Sequence, residues 1–113
     1  MVLDYRARAL GARHEEVAVT RVNLAALLNL LGRHDEARRE LELAVRDFSD
    51  THGAGHWRVG NAQRHLGEAL AGLGRTAEAR TVLQQSVANL TASLGPDHPR
   101  TQAAVSALAA LVG

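Results

Sequence analysis

The chain repeats itself every 42 residues, and a period of that length leaves few folds open. His14, His56 and His98 stand at that spacing, as do Gly11, Gly53 and Gly95. Leu24, Leu66 and Leu108 follow the same shift, then Leu31 with Leu73 and Leu41 with Leu83. The shift also lays LLGRHDEAR over GLGRTAEAR, with Leu30 opposite Gly72. So many coincidences at one period mark a structural repeat.

Each period divides into two helical stretches. The first is expected from about Glu15 to Leu31, with its counterpart from about Trp57 to Leu73. Val17, Leu24, Leu28 and Leu31 fall at helical spacing, with Leu27 on an adjacent stripe. Gly32 and Gly74 follow, where glycine closes a helix in the left-handed conformation without steric cost. A second helix is expected from about Asp35 to Ser49 and again from about Ala77 to Leu94. Its inner stripe is Ala37, Leu41, Ala44, Val45 and Phe48. Asp35 with Arg39 and Glu42 with Arg46 form oppositely charged pairs that mark a solvated side. Between periods, Gly95 and Pro96 end one helix, and Pro99 suits the first turn of the next, capped by His98 or Asp97.

A helix–turn–helix unit of this size buries its apolar side only by stacking on its neighbours. Ala25, Gly67 and Ala109 in one register, and Ala37 and Ala79 in another, are small enough to let helices approach closely. The expected architecture is all-α: antiparallel helix-turn-helix repeats stacked into a right-handed α-solenoid with a concave inner face. The expected divisions are a repeat tail at 1–13, repeat one at 14–55, repeat two at 56–97 and a partial repeat at 98–113. That amounts to about two full repeats plus flanking helices, which reads as a segment cut from a longer array.

The composition narrows the function. With 113 residues and 46% hydrophobic content, the chain suits one folded domain. No apolar run approaches the roughly 20 residues that span a bilayer, and the N-terminus does not read as a signal peptide. Cysteine is absent, which removes disulfides and thiolate sites and is compatible with a cytoplasmic protein. All 13 basic residues are arginine, scattered and balanced by 12 acids. A nucleic-acid surface would concentrate such charge in a stripe, so no nucleic-acid or membrane partner is expected.

The run NLAALLNLLGRHDEARRELELAV and the GPDHP spacer resemble the tetratricopeptide repeat, in the 42-residue variety of kinesin light chains and many bacterial regulators. Leu24, Ala25, Leu28, Gly32, Ala37, Leu41 and Ala44 match the family's structural signature. Leu66, Gly67, Leu70, Gly74, Ala79, Leu83 and Ser86 match it again, and Leu108, Ala109 and Val112 match its start a third time. Arg21 and Gln63 depart from it, standing where the family often has an apolar residue. Leu10-Gly11 resembles the tail of a preceding second helix.

The resemblance implies binding of an extended or helical peptide along the concave side of the first helices. The candidate partner-binding residues there are Asn23, Asn29, Asn61, Arg64, His65 and Glu68, beside Val19, Val22, Ala26, Leu30 and Ala71. Asparagine amides both donate and accept and so suit a peptide backbone. Arg64 can meet a carboxylate in two parallel bonds or pair internally with Glu68. One branch of the family clamps acidic C-termini, but the matching positions here are Val22, Ala26, His65, Ala103 and Ala107, so that clamp is absent.

Other features are expected to be structural. Equivalent histidines of neighbouring repeats should lie about 10 Å apart, whereas zinc ligands sit about 2 Å from the ion. A capping role is therefore expected for the three, and no metal or cofactor. Trp57 replaces Pro99's counterpart and is read as junction packing or as a partner anchor. No phosphate loop, nucleophile elbow or HExxH occurs, so no enzyme is expected. The expected function is a protein-interaction module, as the tetratricopeptide segment of a larger bacterial regulatory or signalling protein. The alternative is self-association through apolar repeat ends, including Leu108, Leu111 and Val112.

Overall fold

The computed structural model describes the backbone of residues 2–111 and the side chains of residues 14–111. Five helices follow one another: α1 (Val2–Leu30), α2 (His34–His52), α3 (Trp57–Gly72), α4 (Thr76–Leu94) and α5 (Pro99–Ala109), with no strand among the described residues. The molecule extends over 55 × 30 × 20 Å.

The two glycine turns within the repeats are copies of one another. Gly32 and Gly74 adopt φ of 77° and 78°. Arg33 N–H then reaches Leu28 O at 2.8 Å, and Arg75 N–H reaches Leu70 O at 2.9 Å, the Schellman closure that satisfies orphan carbonyls. An L side chain at either position would strain that left-handed backbone. Between repeats, the Gly53 and Gly95 N–H groups close the preceding helices on Ser49 O and Thr91 O. His56 and His98 then open α3 and α5, each ring Nδ1 accepting a backbone N–H two residues on at 3.1 Å.

Each helix packs on the next in sequence, α1 also packs on α3, and α3 on α5. By contrast, α2 and α4 do not approach each other, so the first helices form the tighter, inner row. Leu41, Leu83, Leu90 and Phe48 lie buried along the second helices, each burial stabilising by about 1.5–3 kcal/mol. Ala25, Ala37 and Ala79 are fully buried at the tight crossings, whereas Ala109 is exposed. Where the family favours apolar residues, the crossings are bridged by polar pairs. Arg21 donates to Glu40 at 2.7 Å, and Gln63 to Gln85 at 3.5 Å.

Several expectations are corrected. The helix break at Leu10-Gly11 is absent, because α1 continues through Gly11. Gly53 has a second glycine two residues on and Gly95 is followed at once by Pro96, whereas Gly11 is followed by Ala12 and Arg13, both helix formers, with no further glycine or proline near. His14 consequently sits inside α1, exposed, and caps nothing, unlike His56 and His98. The buried stripe of α1 is Ala18, Val22, Ala25 and Leu28, so Val22 belongs mainly to the core, 6% exposed, and meets the inner row only as a wall of a small cavity. Val17, Leu24, Leu27 and Leu31 are instead 47%, 44%, 52% and 61% exposed. Of the C-terminal residues expected to be bare, Leu108 and Leu111 are half-buried, and Val112 lies outside the described residues. Finally, Glu42 pairs with Arg38 at 2.6 Å instead of Arg46, while the expected Asp35–Arg39 pair forms at 2.7 Å.

Candidate partner-binding groove

The α2–α3 junction assembles a stack of rings. Phe48, His52, His56 and Trp57 follow one another, with His52 and His56 stacked at 4.2 Å between centroids. Glu15 of α1 locks this stack, taking His52 Nε2 at 2.8 Å and Arg58 Nε at 2.9 Å. The hydrogen bond from His52 holds the Glu15 carboxyl below the usual carboxylate range, against a smaller desolvation, with the His52 and Arg58 charges adding to the effect. Burial, with the His52 and Arg58 charges, pushes His56 below its ordinary value. A neutral His56 ring keeps the Nδ1 lone pair that its cap requires.

Beside this stack lies a cavity of about 110 Å³. Val19, Val22 and Phe48 supply its apolar wall, and Asn23 and Asn61 its amides, with Trp57, Arg58 and Arg100 completing the lining. The Arg58 and Arg100 guanidiniums lie 4.7 and 4.8 Å from the Trp57 ring centroid, within cation–π range. Arg100 Nη1 also approaches Asn61 Oδ1 at 3.4 Å.

Further along the same row, a second, more open cavity of about 330 Å³ is lined by Ala26, Asn29, Leu30, His34, His65 and Glu68. Its polar side chains are already joined. Asn29 Nδ2 donates to His65 O at 3.2 Å, and its Oδ1 meets His34 Nδ1 at 3.0 Å. Arg64 donates to Glu68 at 2.7 Å and to His65 Nε2 at 3.0 Å. Burial, reinforced by the Arg64 and Arg100 charges, lowers the His65 pKa to about 4. The ring is therefore neutral near pH 7, and acceptance from Arg64 at Nε2 puts its proton on Nδ1. That buried Nδ1 has no hydrogen-bond partner and stands 3.8 Å from Glu68 Oε2.

The six residues singled out in the sequence thus divide. Asn23 and Asn61 meet in the first cavity, and Asn29, His65 and Glu68 in the second, with Arg64 buttressing His65. Asn23 is exposed and makes no hydrogen bond to the described residues, whereas the Asn29 amide ties α1 to α2 and α3. Sequence reasoning missed Arg58 and Arg100. Their 42-residue spacing, flanking the noted Trp57 and Pro99, was the available signal.

Among the described residues, no cluster of three histidines or carboxylates can hold a metal ion, and no helix is long and apolar enough to cross a membrane. No curated protein matches the sequence. Two family models do, both described as tetratricopeptide repeat, at residues 18–42 and 59–100. The matches straddle the glycine turn at Gly32 and the whole of α4 with its caps, and together they span more than half the sequence. Repeated helix pairs, duplicated glycine closures and an inner row of first helices agree with them, and the chain belongs to the tetratricopeptide repeat family, whose general role is protein–protein interaction.

Proposed function

We propose that the inner row of α1, α3 and α5 is the surface on which this protein holds an extended or helical segment of another protein. The observation that carries this reading is the pair of adjacent cavities along that row, with the uncommitted Asn23 amide at the first. A peptide laid there meets donors and acceptors from Asn23 and Asn61 and apolar walls from Val19 and Ala26. Asn29, Arg64, His65 and Glu68 shape the second cavity, since their polar groups are largely satisfied internally. The resemblance to 42-residue repeats of bacterial regulators supports a role as the sensing or holding segment of a larger cytoplasmic regulatory protein, without catalysis of its own.

Self-association is the second reading, and one observation favours it. Val59, Leu66 and Ala69 of repeat two are 1%, 9% and 0% exposed beneath α2. Their counterparts Val17, Leu24 and Leu27, 42 residues earlier, lie bare. Such an apolar stripe suits a second helix.

Both readings are tested by a photo-crosslinking residue placed in turn at positions 23, 24 and 46, in lysate of the source cell. Discrete adducts with another protein are expected from position 23. Adducts of twice the chain mass from position 24 would favour self-association. Adducts only from position 46, which lies opposite the buried stripe of α2, would contradict both.

A further inference from the structure

We propose that the cavity beside Trp57 takes an acidic side chain of the bound segment, its carboxylate held by Arg100. The inference rests on the inner row being the binding surface and names the chemistry it selects. Two guanidiniums are gathered against one ring, and only one of them is neutralised. Arg58 has Glu15 at 2.9 Å. Arg100 has no carboxylate among the described residues, and its contact with Asn61 Oδ1 at 3.4 Å is long enough to be displaced. Arg64, the next cation along α3, is already paired with Glu68 at 2.7 Å. The charge left over on this part of the row is therefore that of Arg100.

The surroundings suit a carboxylate on a short aliphatic stem. Stacking on Trp57 limits the freedom of the Arg100 guanidinium, so less entropy is lost when its planar fork meets a carboxylate. Val19, Val22 and Phe48 offer apolar surface to the methylene groups, and the exposed Asn23 amide offers a further donor. At about 110 Å³ the cavity admits one side chain rather than a folded element. A single unmatched cation among apolar walls also disfavours a polyphosphate backbone, which calls for several basic groups in line.

Trp57 is the only tryptophan and lines the cavity, so its emission reports occupancy. The probes are a short glutamate-rich peptide without aromatic residues, acetylated and amidated at its ends, and its glutamine and lysine counterparts. Because the ends are blocked, only side chains supply carboxylates. Saturable change in Trp57 emission is expected with the glutamate peptide, about tenfold or more tighter than with the glutamine peptide, and weakening with salt. Arg100→Gln is expected to lose about tenfold in affinity for the glutamate peptide, read also by calorimetry, while Arg46→Gln changes nothing. Equal binding of the glutamate and glutamine peptides, no binding of either, or an unchanged affinity in Arg100→Gln would overturn the proposal. Any of those results alongside intact crosslinks from position 23 would leave the inner row as the binding surface and remove only its acid preference.

Discussion

Trimming Leu83 to alanine is expected to destabilise the fold by about 2–5 kcal/mol, the usual cost of emptying a leucine site in a packed core. Leu83 is 1% exposed and lies against Gly67, where α3 and α4 cross. A Cβ added at Gly67 would come within 2.6 Å of Leu83 Cδ2, with Cγ closer still. Gly67→Ala should therefore cost about 1–3 kcal/mol by overpacking, against which alanine's better helix propensity returns up to about 1 kcal/mol. Together the two changes are expected to cost less than their sum, because the new methyl occupies space that Leu83 vacated. Urea unfolding followed by circular dichroism gives all three values. Strict additivity would show that the added methyl does not press on Leu83, contrary to the close approach described.

Acidification is expected to destabilise the protein in part through His65. Its folded pKa of about 4 lies below the ordinary 6.5, so folding favours the neutral ring. The contribution is then complete above pH 6.5 and is lost as pH falls toward and through 4. At 1.36 kcal/mol per pKa unit the shift corresponds to roughly 3 kcal/mol, a large share of the stability of a small domain. His65→Gln keeps an acceptor for Arg64 but cannot take up the proton. Between pH 7 and pH 4 the wild type should lose roughly 3 kcal/mol more than this variant in the same urea experiment. Equal losses would mean that His65 is not the buried neutral group described.

Much of this fold was legible because the repeat is written in residues with local consequences. Gly32 and Gly74 close their helices through backbone conformation alone, and His56 and His98 cap through an acceptor two residues away. Periodicity could not say which of two apolar stripes on α1 is covered. Val17, Leu24, Leu27 and Leu31 and the stripe Ala18, Val22, Ala25 and Leu28 both recur at helical spacing, and only the packing of α2 and α3 decides between them. Gly11 looked like a boundary by register, yet a lone glycine costs a helix only about 1 kcal/mol and does not end it. The candidate residues could be placed on the first helices from the sequence, but their bonds could not. Asn29 and His65 are 36 residues apart, and no local rule announces their contact. Arg58 and Arg100 come together on Trp57 because repeat stacking brings α3 and α5 side by side, which sequence spacing records but does not explain.

The claim that the inner row is the working surface is tested most directly by capture from source-cell lysate with three forms of equal helicity. These are the wild type, an inner-row variant Asn23→Ala with Asn61→Ala, and an outer variant Arg39→Ala with Arg46→Ala. A protein retained by the wild type and the outer variant but lost by the inner-row variant is the predicted result. Retention by the inner-row variant together with loss from the outer variant would contradict it and move the function to the exposed side of α2.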